Sequence, residues 1–296
     1  MVQLLSRYWS IYSHYCLPFR VRESISRNAT ACDDRAMFDL LNYPIVLSLV
    51  TLLILWLSAR TGVFLQKRHR ILESSRDDFS VILGATLTLL GLIIGFTFSM
   101  AIARYDQRKN LEEEEANAIG TEYVRADLLP AADAANVRAM LRQYLDERLL
   151  FYKVANIQMS QLPQINSVTG QLQTKLWNAV TGPAQAAPSP VISLAVSGMN
   201  DVLNSQGYTQ AAWWNRIPLA AWILMMAIAI FCNVLVGYGS HETRRSLLFI
   251  LPLLVSLSFM LIADIDSPRG GLIRVQPRNL TSLVQSLQGN RTRPSS

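Results

Sequence analysis

Residues 79–130 read FSVILGATLTLLGLIIGFTFSMAIARYDQRKNLEEEEANAIGTEYVRADLLP. Phe79 to Ala103 is an uncharged run of 25 residues that passes without a breaker into a charge-dense helical pattern. At 1.5 Å per residue the run is roughly 37 Å long, enough to cross a hydrocarbon core of about 30 Å with some tilt. One helix is thus predicted to start in lipid and continue into water as a stalk.

The rest of the chain supports a membrane class. Charged residues make up 16% of the sequence, against about a quarter in soluble domains. Four apolar runs account for the deficit: Tyr43–Leu65, Phe79–Ala103, Ile217–Tyr238 and Ser246–Ala263. Arg60, in the first, can snorkel to the interface. Pro252, in the fourth, is tolerable where neighbours satisfy the freed carbonyl. The predicted fold is an all-α integral membrane protein with four transmembrane helices and a helical soluble insert between helices 2 and 3. The segments are a tail (1–36), helices 1 and 2 (37–103), the insert (104–212), helices 3 and 4 (213–264) and a C-terminal tail (265–296).

Charge and reactive residues narrow the function classes. The net charge is +6, but residues 104–216 carry 10 basic and 11 acidic side chains. The excess lies in short connections and tails, a membrane-edge pattern, so the lipid bilayer and not nucleic acid is the expected partner. Cys16, Cys32 and Cys232 show no pairing or metal spacing, and His14, His69 and His241 are scattered. No P-loop, HExxH or G-x-S-x-G pattern occurs, so neither enzyme nor cofactor is expected. Residues 1–36 lack a secretory h-region. They read as a tail ahead of a natural start at Met37, or as an interfacial segment carrying Tyr8, Trp9, Tyr12, Tyr15 and Phe19.

The insert has helical periodicity throughout. Ile119, Tyr123 and Ala126 continue the stalk to Pro130. Val137, Met140, Leu141, Tyr144, Leu145 and Phe151 form the stripe of a second helix, and Ile165–Val180 a third. TGPAQAAPSP (181–190) reads as a linker. A last helix, Val191–Trp214, is expected to feed straight into span three, with Trp213 and Trp214 in the interfacial aromatic belt.

Several residues stand out as candidates. Gly84, Thr88, Gly91, Gly95, Ser99 and Ala103 recur every three or four positions, so one face of span two is small enough for close helix packing in lipid. Leu92, Phe96 and Met100 would narrow a passage if several copies of this helix surrounded an axis, since hydrophobic constrictions gate by dewetting. Arg104, Arg108 and Glu112 lie just past the apolar run. The i,i+4 pairs Arg108–Glu112 and Lys109–Glu113 read as a solvated helix face, or as charge rings at a pore mouth if stalks converge. Asp264, Asp266 and Arg269 follow span four. Ion pairing with Arg104 or Arg108, or turn capping, is the reading there. Ca²⁺ takes oxygen ligands, but two carboxylates are too few to define a site.

LLGLIIGFTFSMAIARYDQR, EANAIGTEYVRADLLP and DIDSPRGGLIRV together resemble the bacterial bestrophin-like membrane family of unknown function, over roughly residues 37–288. The chain is more distantly similar to bestrophins, which are pentameric anion channels with a hydrophobic neck on the second span. The resemblance implies a multi-pass protein of the bacterial inner membrane, a homo-oligomer (a pentamer) and small inorganic anions as permeants. It also implies neck positions at Leu92, Phe96 and Met100, Asp264 and Asp266 as relatives of a Ca²⁺ clasp, and the helical body in the cytoplasm. The Lys/Arg balance favours neither side, with 7 in the short loops and 10 on the tails. Two functions follow: an oligomeric ion channel lined by span two, or a non-conducting scaffold or sensor that binds a partner through its insert.

Overall fold

The computed structural model describes residues 42–68, 76–154, 156–240 and 247–289. The segment 1–36 read above, with its interfacial alternative, lies outside the described residues. All regular structure among those described is helical.

Helix α1 spans Pro44–Arg68 and α2 spans Arg76–Arg125, so the apolar run and the stalk are one helix of 50 residues. It is about 75 Å long. A 3₁₀ turn at Ala126–Leu128 and Pro130 end it. The insert continues with α3 (Ala131–Lys153), α4 (Leu162–Ala186) and α5 (Pro190–Trp214). The expected ten-residue linker is mostly helix, because α4 runs through Pro183 to Ala186. Ser189 then caps α5 by accepting from the Ile192 N–H at 3.1 Å, with Pro190 at the first helical position.

Span three is not a straight continuation of α5. Helix α6 begins at Leu219, after a four-residue break at Asn215–Pro218. Asn215, the residue after α5, is extended, and Pro218 stands just ahead of the first residue of α6. The fourth run forms α7, Ile250–Asp266, of 17 residues or about 26 Å. Among the described residues, three helical stretches are long and apolar enough to cross a membrane: Pro44–Arg68, Arg76–Leu128 and Pro190–Gly239. Pro252 costs α7 little, since it sits in the first turn where no intrahelical N–H is needed.

The apolar layer packs α1 against α6 and α7, and α2 against α6 and α7. Gly62 and Gly237 let α1 and α6 touch backbone to backbone. A Cβ on Gly237 would collide with the Ala59 carbonyl, and one on Gly62 with the Val234 carbonyl. Leu55, Met225, Cys232 and Phe259 fill this core. A second core, around Ile119, Leu141, Leu176, Met199 and Val202, holds α2 to α3 and α5, with α4 packed on α3 and α5.

Part of the segment read as a C-terminal tail is helical. Arg278–Gly289 forms α8, with Leu280, Leu283, Val284 and Leu287 on one face, packed on α2 and α3. Apolar residues at positions 1, 4, 5 and 8 of a short segment require a surface to cover, and the stalk supplies it.

Candidate functional site

Helix α2 carries one inward face along both layers. Leu90, Thr97, Ala101, Arg108, Glu112, Glu115, Ile119 and Glu122 are buried, and they succeed each other at 7, 4, 7, 4, 3, 4 and 3 residues. That spacing keeps them on one side of a 3.6-residue helix. The side that is apolar in the membrane layer becomes charged in the body while still pointing into protein.

The charges read as a solvated face are therefore internal. Arg108 and Glu112 are each 1% exposed, and each spends its hydrogen bonds elsewhere than on the other. Arg108 donates to the carbonyls of Ala212 (3.2 Å), Asn215 (3.0 Å) and Ile265 (3.4 Å). These are C-terminal carbonyls of α5 and α7, left without helical partners where the chain breaks. Glu112 sits at the N-terminus of α8, accepting from the Leu280 N–H (2.9 Å) and the Asn279 amide (2.7 Å). A carboxylate is favoured there by the unpaired amides.

Asp266 completes the junction. It accepts from the Ile217 N–H in the break (3.1 Å) and lies 3.6 Å from Arg104. Irregular backbone at the edge of an apolar layer is tolerated when side chains satisfy it, and Arg108 and Asp266 do so. Asp264 instead caps the loop after α7, accepting from Leu272 N–H (2.7 Å) and Ile273 N–H (2.9 Å). Both carboxylates are committed to backbone amides, and no group of three or more metal-ligating side chains occurs among the described residues.

Arg269 reaches from the same loop into the body, donating to the carbonyls of Phe151 (2.7 Å) and Val154 (3.0 Å). Its guanidinium lies 4.5 Å from the Phe151 ring centroid and 4.3 Å from that of Trp213. Burial pulls its pKa down to about 10, which leaves it charged at neutral pH. Trp213, expected in an interfacial belt, is a core residue at 5% exposure, packed on Phe151, Tyr152 and Arg269. Trp214, the next residue, points outward.

Sequence reasoning missed the ion pair next to this stack. Arg148 and Glu115 are wholly buried and bonded to each other, with the Tyr152 hydroxyl and the Thr209 hydroxyl also donating to Glu115 at 3.2 Å. The available signal was that Glu115 falls in the same row as Ala101, Arg108 and Ile119.

The other sides of α2 are open. Leu92, Phe96 and Met100 are 52%, 64% and 41% exposed. Gly84, Gly91 and Gly95 have no atom within 4 Å of where a Cβ would stand, and Ser99 is exposed. At about 100° per residue, the glycine row and the Leu92–Phe96–Met100 row adjoin each other, and both lie away from the buried face. Only 11% of the most apolar 18-residue window of α2 is buried, against 33% for α1 and 28% for the stretch containing α6.

The sequence profile of the Bestrophin-like domain matches residues 45–280. Solved structures agree in fold. A bacterial bestrophin homologue from Klebsiella pneumoniae superposes with a TM-score of 0.56 at 15% identity, covering 82% of this chain and 96% of that one. A mutated bestrophin homologue from the same organism gives 0.59 at 13% identity, with 84% and 99% covered. At such identities the likeness is one of fold. No match emerges among curated proteins.

Proposed function

The chain belongs to the bestrophin-like family, and from that premise we propose that it is an oligomeric ion channel of the bacterial inner membrane, anion-conducting and lined by α2. The observation that carries the reading is the pair of open rows on α2. A helix so poorly covered by its own protomer, with a glycine row beside a Leu92–Phe96–Met100 row, suits a ring in which glycines meet the neighbouring copy and large apolar side chains face an axis. Helix α7, packed on α1 and α2, supplies the fourth crossing despite its length. The fivefold ring, the cytoplasmic place of the body and the absence of an enzymatic role follow the family likeness. Anion conduction likewise follows the family likeness.

Purified protein in proteoliposomes tests this. Chloride flux is expected, with Phe96→Ala changing its magnitude. A monomeric protein with no flux of any ion refutes the reading. The alternative, a non-conducting scaffold, draws on Val191, Leu194 and Tyr208, exposed along α5. It requires a pore-free assembly and a specific partner lost when that face is made polar.

A further inference from the structure

The junction between body and membrane layer brings five guanidinium groups together, three of them buried. Arg104, Arg108, Arg148, Arg216 and Arg269 gather there. Asp266 serves Arg104, and Glu115 serves Arg148. Arg108 is spent on carbonyls. Neither Arg216 nor Arg269 has a carboxylate within 4 Å among the described residues. Arg216 donates only to neutral oxygens, Asn42 Oδ1 at 2.6 Å and Ser267 Oγ at 3.4 Å. Asp266 attracts Arg216 through space without contacting it, so neither Arg216 nor Arg269 has a counter-ion in contact.

Arg216 and Arg269 both line one cavity of about 280 Å³, whose wall contains no Asp or Glu. Trp213 lines it too, and its buried indole N–H has no hydrogen-bond partner within the protein. Gln210, also in the wall, has a buried amide oxygen without a partner, and Asn166 contributes a second amide side chain. Asn42 lines it too, and the rest of the wall is mostly apolar, with Phe151 and Leu162. Two guanidinium forks and an N–H donor match an oxyanion that accepts from several directions. At about 30 Å³ per water, the volume exceeds that of a halide or a bare phosphate several-fold. The apolar wall beside the arginines suits an occupant with an organic part.

We propose that this cavity, between Arg216 and Arg269, is a binding site for an organic phosphate, either a soluble phosphomonoester or the phosphate of a lipid headgroup. The site is separate from the α2 pore and does not rest on conduction. It lies where α3, α4 and α5 meet the break at Arg216 and the loop after α7, so an occupied cavity ties the body to the edge of the membrane layer.

The test uses the full-length protein, delipidated in neutral detergent at fixed ionic strength. Inorganic phosphate and glycerol 3-phosphate are titrated calorimetrically, and phosphatidylglycerol is added for native mass spectrometry. One saturable site per protomer is expected, with affinity reduced at least tenfold in Arg216→Gln and Arg269→Gln. Arg269 also supports the core, so Asn166→Asp is the decisive variant. Asn166 is exposed, and the new carboxylate faces no packing demand while opposing an anion. It too is expected to weaken binding at least tenfold. Binding of glycerol 3-phosphate supports a soluble ligand, and binding of phosphatidylglycerol alone supports a headgroup. The proposal is overturned if no probe binds, or if binding is indifferent to Asn166→Asp and Arg216→Gln.

Discussion

Replacing Gly91 and Gly95 together by leucine tests the assembly by sign. Within one protomer both positions are exposed, and no atom of another element lies within 4 Å of either Cβ position. Leucine is a better helix former than glycine by somewhat under about 1 kcal/mol per site, so α2 alone gains about 1–1.5 kcal/mol. If the glycine row is the seam between copies, each leucine instead overpacks it at about 1–3 kcal/mol. That amounts to about 2–6 kcal/mol per seam, and a closed ring has one seam per protomer. The oligomer should therefore dissociate or shift in mass by light scattering in detergent, and flux should fall with it. Glycine-to-alanine changes at the same positions, being smaller, should act more weakly in the same direction. A double leucine variant with raised thermal stability, unchanged mass and unchanged flux refutes the seam.

Three further outcomes follow from buried contacts. Glu122 lies about 28 Å past the apolar run, and burial raises its carboxyl pKa to about 8 while neither oxygen has a hydrogen-bond partner. With an ordinary value of 4.5 when unfolded, its protonated form favours the fold, so stability is highest below pH 4.5 and falls as pH rises to about 8. Glu122→Gln should be more stable at pH 7, by about 3 kcal/mol at most, and should match the wild type at pH 4. Parallel thermal-unfolding profiles would contradict that. Glu115→Gln leaves Arg148 buried without its carboxylate, at a cost of about 3–5 kcal/mol; adding Arg148→Met should recover much of the lost thermal stability, and an equal or larger loss in the double variant counts against the pair. Gly237→Ala forces α1 from α6 and should destabilise by about 1–3 kcal/mol, whereas Gly84→Ala should not; equal melting temperatures would show that the close approach is not strict.

Much of the architecture was legible because periodicity reports it directly. The continuous α2 and the amphipathic insert helices follow from residue spacing alone. The break at Asn215–Pro218 was written in Pro218, but the apolar run that follows masked it. Helix α8 was overlooked because its apolar stripe is only 12 residues long and is flanked by polar sequence. The charged residues were the harder case. Arg108, Glu112 and Glu115 look like solvated positions by composition, and only their phase relative to Leu90 and Ala101 indicates burial.

The division lies in range. Segment hydrophobicity and helical period are properties of neighbours in the chain, so they state which parts enter lipid and which face of each helix is covered. Partners more than 100 residues apart, such as Arg108 with Ala212 and Arg269 with Phe151, depend on where helices end in space. Burial and hydrogen-bond competition settle those pairings: a charged side chain out of water takes whichever free carbonyl, amide or counter-ion the packing brings within about 3 Å. The gathering of five arginines at the junction, and the cavity between two of them, exist only at that level.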